Sequence, residues 1–134
     1  MKIYELGFKE GQELKISIKL SKDCTTFVVN IGHDSDNIAL HFNPRFDYNP
    51  DDAGCRNIIA CNSMSGGSWE EEQREENFAF SRGEECKLNF SFNNEEFHIT
   101  LPDGSMMKFP NRPGELKYEY LNVSGAEFKG LEMV

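Results

Sequence analysis

The chain predicts an all-β domain of about eleven short antiparallel strands, closed as a sandwich or a barrel. Three features lead there. Apolar and polar residues alternate with period two in run after run, as in "ELKISIKL" at 13–20 and "CKLNFSFN" at 86–93. Turn-forming clusters such as "KEGQ", "GHDSDN", "PDGS" and "NRPGE" separate the runs. Nowhere do apolar residues hold a helical period over about ten positions.

Taken in order, "YELGF" at 4–8 is stopped by "KEGQ", and 13–20 sets Leu14, Ile16, Ile18 and Leu20 on one side of an extended chain. "TFVVNIG" at 26–32 and "NIALHFN" at 37–43 flank the turn "GHDSDN". "NIIACN" at 57–62 and "NFAF" at 77–80 come next, then 86–93 and "EFHITL" at 96–101. "PDGS" joins the last of these to "MMKFP" at 106–110 as a hairpin. "YEYLNV" at 118–123 and "EFKGLEMV" at 127–134 complete the set. Pro44 cannot donate to a ladder, which places it at an edge or a bulge.

The 134 residues suit one domain, 1–134, and 11 Phe with 4 Tyr make its core bulky. A net charge of −9 repels phosphate backbones and anionic lipid, so nucleic acid and membrane surfaces are poor partners. No apolar run approaches the ~20 residues of a membrane span. The opening "MKIYELGFKEGQELK" has no signal-peptide core, so cytoplasmic synthesis is expected. Cys24, Cys55, Cys61 and Cys86 lack zinc-knuckle spacing and are expected as free thiols. His33 and His98 show no partners in sequence and are expected in solvent.

One strand face is unusual. In "IALHFNPRF" at 38–46, Ile38, Leu40, Phe42 and Phe46 share one face with Pro44, while His41, Asn43 and Arg45 share the other. Three such groups in a row span ~13 Å, the length of a disaccharide. Arg offers only donors, Asn both kinds and neutral His one of each, a set suited to a neutral ligand dense in hydroxyls. Asn62 ends the next strand, and Trp69 follows the glycine-bearing loop "SMSGGS", free to swing over a neighbouring surface. Glu72 and Arg74 are two apart and share a face; a carboxylate between Arg74 and Arg45 holds both planes still. An exposed indole gives a sugar ring a flat partner.

"HFNPRF", then "CNS", then "WEEEQR" resembles the galectins, the β-galactoside-binding lectins, and the likeness continues through "LPDG" and "FPNR" over nearly the whole chain. The resemblance implies a jelly-roll sandwich of two antiparallel sheets with a sugar lying across the concave one. It implies that His41, Asn43 and Arg45 read the axial 4-hydroxyl of galactose, and that Asn62 and Glu72 take the 6-hydroxyl. Trp69 would stack on the galactose face, and Glu72, Arg45 and Arg74 would reach the adjoining glucose or N-acetylglucosamine. It implies no metal or cofactor, glycoprotein and glycolipid partners, a homodimer through strands near the two termini, and export without a signal peptide to the cell exterior. Two departures stand out: the loop 47–57 is about four residues longer than usual, and Glu70 and Glu71 add negative charge expected to disfavour sulfated or sialylated sugars.

Other classes fit less well. An EF-hand loop starting at Asp47 would need Gly at 52 and Glu at 58, where Asp52 and Ile58 stand. A glycosidase needs a carboxyl of raised pKa, but Arg74 beside Glu72 acts in the opposite direction. The serious alternative is a galectin-like structural protein with weakened or lost sugar binding.

Overall fold

The structure is a computed structural model that describes residues 1–49, 54 and 56–134. Cys55 and much of the long loop within 47–57 lie outside the described residues. Along the chain run β1 (Lys2–Ile3), β2 (Phe8–Lys9), β3 (Leu14–Lys19), β4 (Val28–Asp34), β5 (Asn37–Tyr48), β6 (Arg56–Ser65) and β7 (Ser68–Trp69). Then follow β8 (Gln73–Glu75), β9 (Glu85–Phe92), β10 (Glu96–Thr100), β11 (Met106–Pro110), β12 (Lys117–Tyr118), β13 (Tyr120–Ser124) and β14 (Glu127–Met133). All pairings are antiparallel, and the described residues contain no helix. One sheet has the order β1-β13-β4-β5-β6-β7, with β8 also on β6; the other is β11-β10-β9-β3-β14.

Period-two alternation builds the core between these sheets. Leu14, Ile16 and Ile18 of β3 and Leu88, Phe90 and Phe92 of β9 meet Val29, Ile31, Leu40, Phe42, Ile59 and Cys61 from the opposite sheet, all buried. The pair β2–β12 closes one end with Phe8 and Tyr118, whose rings lie 4.9 and 5.2 Å from Phe92. Cys24 and Cys61 are buried, Cys86 is half-buried, and all three are free thiols.

Four expectations need correction. The segment 77–80 is not a strand. Its Phe78 and Phe80 are held by rings rather than by a ladder: Phe80 lies 5.2 Å from Phe27 and 6.2 Å from Phe42, and Phe78 lies 4.9 Å from Phe46, all edge-on. Second, a register shift in β5 between Ile38 and His41 brings Ala39 beside Leu40 in the core, while Ile38 pairs with Met64 outside that cluster. Third, Pro44 lies within a central strand, paired with Ile59 of β6. Fourth, His33 and His98, expected without partners, each face a carboxylate, Glu115 at 3.8 Å and Glu96 at 3.4 Å; His33 is exposed as expected, whereas His98 is half-buried.

Gly32 marks the crowded crossing of β4 and β5. A Cβ there would sit 2.4 Å from the Asn37 carbonyl oxygen and 2.7 Å from Ile38 Cα, whereas one on Gly130 meets nothing within 4 Å. Gly32→Ala is therefore expected to cost about 1–3 kcal/mol in urea unfolding, the usual scale of overpacking, and Gly130→Ala within about 0.5 kcal/mol. Equal effects would remove the packing account.

Candidate functional site

β5 and β6 place the polar groups on the outer face of the seven-stranded sheet, and the register His41↔Asn62 sets those two side by side. Beyond β6, the turn at 65–68 returns the chain so that Trp69 pairs with Met64, and β8 pairs Arg74 with Ala60. His41, Arg45, Asn62, Trp69 and Glu72 line one open cleft of about 360 Å³. Trp69 is 50% exposed, and its ring sits 4.6 Å from the His41 ring at a 58° tilt.

A relay of hydrogen bonds holds the cleft, and Pro44 begins it. Phe27 N–H donates to the Pro44 carbonyl at 3.3 Å, but the proline has no N–H to return to the Phe27 carbonyl. Asn43 Nδ2 takes that place at 2.9 Å and also donates to Thr26 Oγ1 at 2.7 Å. With both amide hydrogens spent inside and only 6% exposure, Asn43 turns its Oδ1 to accept from Arg45 Nε at 2.9 Å. Arg45 Nη2 then donates to Glu72 Oε1 at 3.3 Å, and Arg74 Nε to Glu72 Oε2 at 2.9 Å. Glu72 thus stands between the two guanidiniums, each of its oxygens keeping a lone pair for a further donor.

His41 is tied on its other side. Its Nδ1 lies 2.6 Å from Asn30 Oδ1, a carbonyl acceptor, so the ring proton resides on Nδ1 and Nε2 is left as an acceptor. Burial, assisted by the Arg45 charge and opposed by Glu72, pushes its pKa down to about 4. Beside a guanidinium donor, the neutral imidazole supplies the complementary acceptor.

Two residues here were not assigned by sequence reasoning. Asn30, paired with His41 across β4–β5, is buried; its only sequence signal is an amide inside the apolar run "VVNIG". Arg112, from the "FPNR" segment, donates to Asn62 Oδ1 at 3.2 Å, to Ser63 Oγ at 2.8 Å and to the Glu71 carbonyl at 2.7 Å. It reaches from the loop after β11 and fixes the Asn62 amide. Asn62 Nδ2 spends one hydrogen on the Glu70 carbonyl at 3.2 Å and keeps the other. No group of three His, Cys, Asp or Glu side chains among the described residues is arranged to hold a metal.

A β-sandwich carrying an open cleft of donors, acceptors and one exposed indole defines a carbohydrate-binding protein of the lectin class. The galactoside-binding lectin family model matches residues 1–129. Mouse Galectin-2 is 37% identical over 131 residues, covering 98% of this chain and 95% of its own. The toad ovary galectin, solved in complex with thio-digalactose, superimposes with a TM-score of 0.93 at 34% identity, covering 100% of this chain and 97% of that one. CG-16, a homodimeric agglutinin from chicken liver, gives 0.91 at 34% identity, covering 100% and 98%. The chain belongs to the galectins, the galactoside-binding lectin family, whose members bind carbohydrate and are not enzymes.

The His41 pKa sets a pH window. The folded value, about 4, lies below the ordinary 6.5, so the unfolded chain takes up a proton first as pH falls. Stability from this group is unchanged above pH 6.5 and is lost progressively between 6.5 and 4. Denaturant titrations from pH 8 to 4 are expected to show that loss, with a shallower slope in His41→Asn; an identical slope would remove the assignment of His41 as a neutral, tethered imidazole.

Proposed function

We propose that the 134 residues act as one metal-independent carbohydrate-recognition domain for terminal β-galactosides of the lactose and N-acetyllactosamine type. The observation that carries this reading is the pairing of an acceptor, His41 Nε2, with the donors of Arg45 beside an exposed indole. A hydroxyl both gives and receives. An axial 4-hydroxyl over the sheet donates its proton to His41 while its oxygen accepts from Arg45. The equatorial epimer lies in the plane of the sugar ring and forfeits that pair. Trp69 then stacks on the galactose face, Asn62 donates to the 6-hydroxyl and Glu72 accepts from it. Arg74, with Glu72 and Arg45, takes the second ring. Asn43 acts through Arg45, since its amide hydrogens are already used.

Each such hydrogen bond is worth about 1 kcal/mol net, so one site binds weakly. Weak sites gain from pairing. The chain joins a second copy through its terminal strands and cross-links galactoside-bearing glycoproteins and glycolipids. In support, β1 and β14 are the outer strands of the two sheets, and Leu131 and Val134 beside them are exposed, as are Met1 and Tyr4. The homodimeric agglutinin CG-16 has the same fold. Free Cys24, Cys61 and Cys86 support synthesis in the reducing cytoplasm, with action outside the cell after export.

Titration with lactose and with cellobiose, which presents the 4-hydroxyl equatorially, tests the site. Lactose alone should bind, and Trp69→Ala should weaken it by about tenfold or more through loss of the platform and its buried area. Binding of neither sugar by the folded wild type would favour the alternative, a galectin-like protein without sugar recognition. The wild type should also agglutinate galactoside-coated beads, reversibly with lactose, at a light-scattering mass twice that of the chain; a monomer that does not agglutinate would end the cross-linking proposal.

A further inference from the structure

Tyr48 stands where strand alternation does not put it. From Phe42 and Phe46, even-numbered positions of β5 face the core, and a regular strand would bury Tyr48 with them. Two observations break the pattern. Asp47 has φ 52°, the left-handed region that few residues other than Gly accept and that Asp tolerates best after Asn. The β5–β6 register shifts between Arg45 and Tyr48 at the same point. The turned backbone is held on three sides. Asn57 Oδ1 accepts from Asp47 N–H at 2.9 Å, Arg82 Nη2 pairs with Asp47 Oδ2 at 2.8 Å, and Arg82 Nε donates to the Cys24 carbonyl at 2.7 Å.

The bulge carries the phenol over to the face that holds the cleft. The Arg45 guanidinium carbon lies 4.8 Å from the Tyr48 ring centroid and that of Arg74 lies 5.3 Å away. Arg74 Nη2 also donates to the Tyr48 hydroxyl at 3.4 Å. Tyr48 is half-exposed and lines a second opening that adjoins the first through the shared Arg45. Because the phenol oxygen accepts from Arg74, its own proton points elsewhere, and among the described residues no acceptor takes it.

We propose that Tyr48 determines specificity at the second-ring end of the cleft: its ring steadies the Arg45 and Arg74 guanidiniums, and its hydroxyl donates to an oxygen of the sugar that follows galactose. This rests on the galactoside reading above. The ligand class is a β-galactoside extended at its reducing end by a ring with an acceptor oxygen, such as a hydroxyl or an acetamido carbonyl. Galactose itself is served from the other end, where Arg45 keeps Asn43 and Glu72 as partners whatever stands at 48.

The test compares lactose with methyl β-galactoside, by calorimetric titration of the wild type, Tyr48→Phe and Tyr48→Ala. Tyr48→Phe keeps a ring for the guanidiniums and loses only the hydroxyl, so lactose should weaken about fivefold, one hydrogen bond. Tyr48→Ala should weaken lactose about tenfold or more, because the cation–ring contacts go as well. The monosaccharide glycoside should stay within about twofold in Tyr48→Phe, where a ring still steadies Arg45, and should weaken less than lactose in Tyr48→Ala, where Arg45 keeps Asn43 and Glu72 as partners. Its retention also reports that each variant is folded. An unchanged ratio of the two affinities in either variant, or equal losses for both ligands, overturns the proposal. A wild type that binds neither ligand overturns the galactoside reading instead, so the two failures are told apart.

Discussion

A missing hydrogen sets the geometry of the polar cleft on this sheet. Pro44 sits inside a central strand without an N–H, and the Phe27 carbonyl opposite would be left unpaired in a buried setting. The Asn43 amide fills the gap, which commits its oxygen to the Arg45 Nε. Arg45 then meets Glu72, Glu72 meets Arg74, and Arg74 reaches the Tyr48 hydroxyl. Each member has its orientation set by the one before it. A cleft this open would otherwise let long arginine side chains wander, and any contact they made to a ligand would carry the entropy of ordering them.

The same logic explains why a chain of net charge −9 carries two arginines within one small polar face. Glu72 balances them locally, while His41, held neutral by burial and by Arg45, provides an acceptor that a charged imidazole could not. Neutral hydroxyl ligands need donors and acceptors in alternation, and the relay supplies both kinds. On its far side the face is tied to the rest of the sandwich by Arg112, which carries the loop after β11 to Asn62 and the Glu71 carbonyl.

Aromatic rings do at the sandwich ends what ladders do in its middle. Phe78 and Phe80 lie in a segment without strand pairing, yet they pack edge-on against Phe46, Phe27 and Phe42, beneath the end of β5 that carries Arg45. "NFAF" reads as a strand because buried rings produce the same alternation whether or not the backbone finds a neighbour. Periodicity reports which side chains are buried. It does not report hydrogen bonding.

By itself the sequence determined the all-β class, the spacing of most strands, and the residue types facing away from the core at His41, Asn43 and Arg45, because alternation is a local property of extended backbone. The exposure of Trp69 and the contact of Glu72 with Arg74 were legible for the same reason, from nearby glycines and a two-residue spacing. Only the tertiary structure decided that Asn43 is a buried strut, that Asn30 and Arg112 orient groups far along the chain, and that Pro44 occupies a central strand. It alone placed Tyr48 beside the arginines and Ile38 outside the core cluster. These facts depend on bulges and on cross-strand register, and register exists only once neighbouring strands have met.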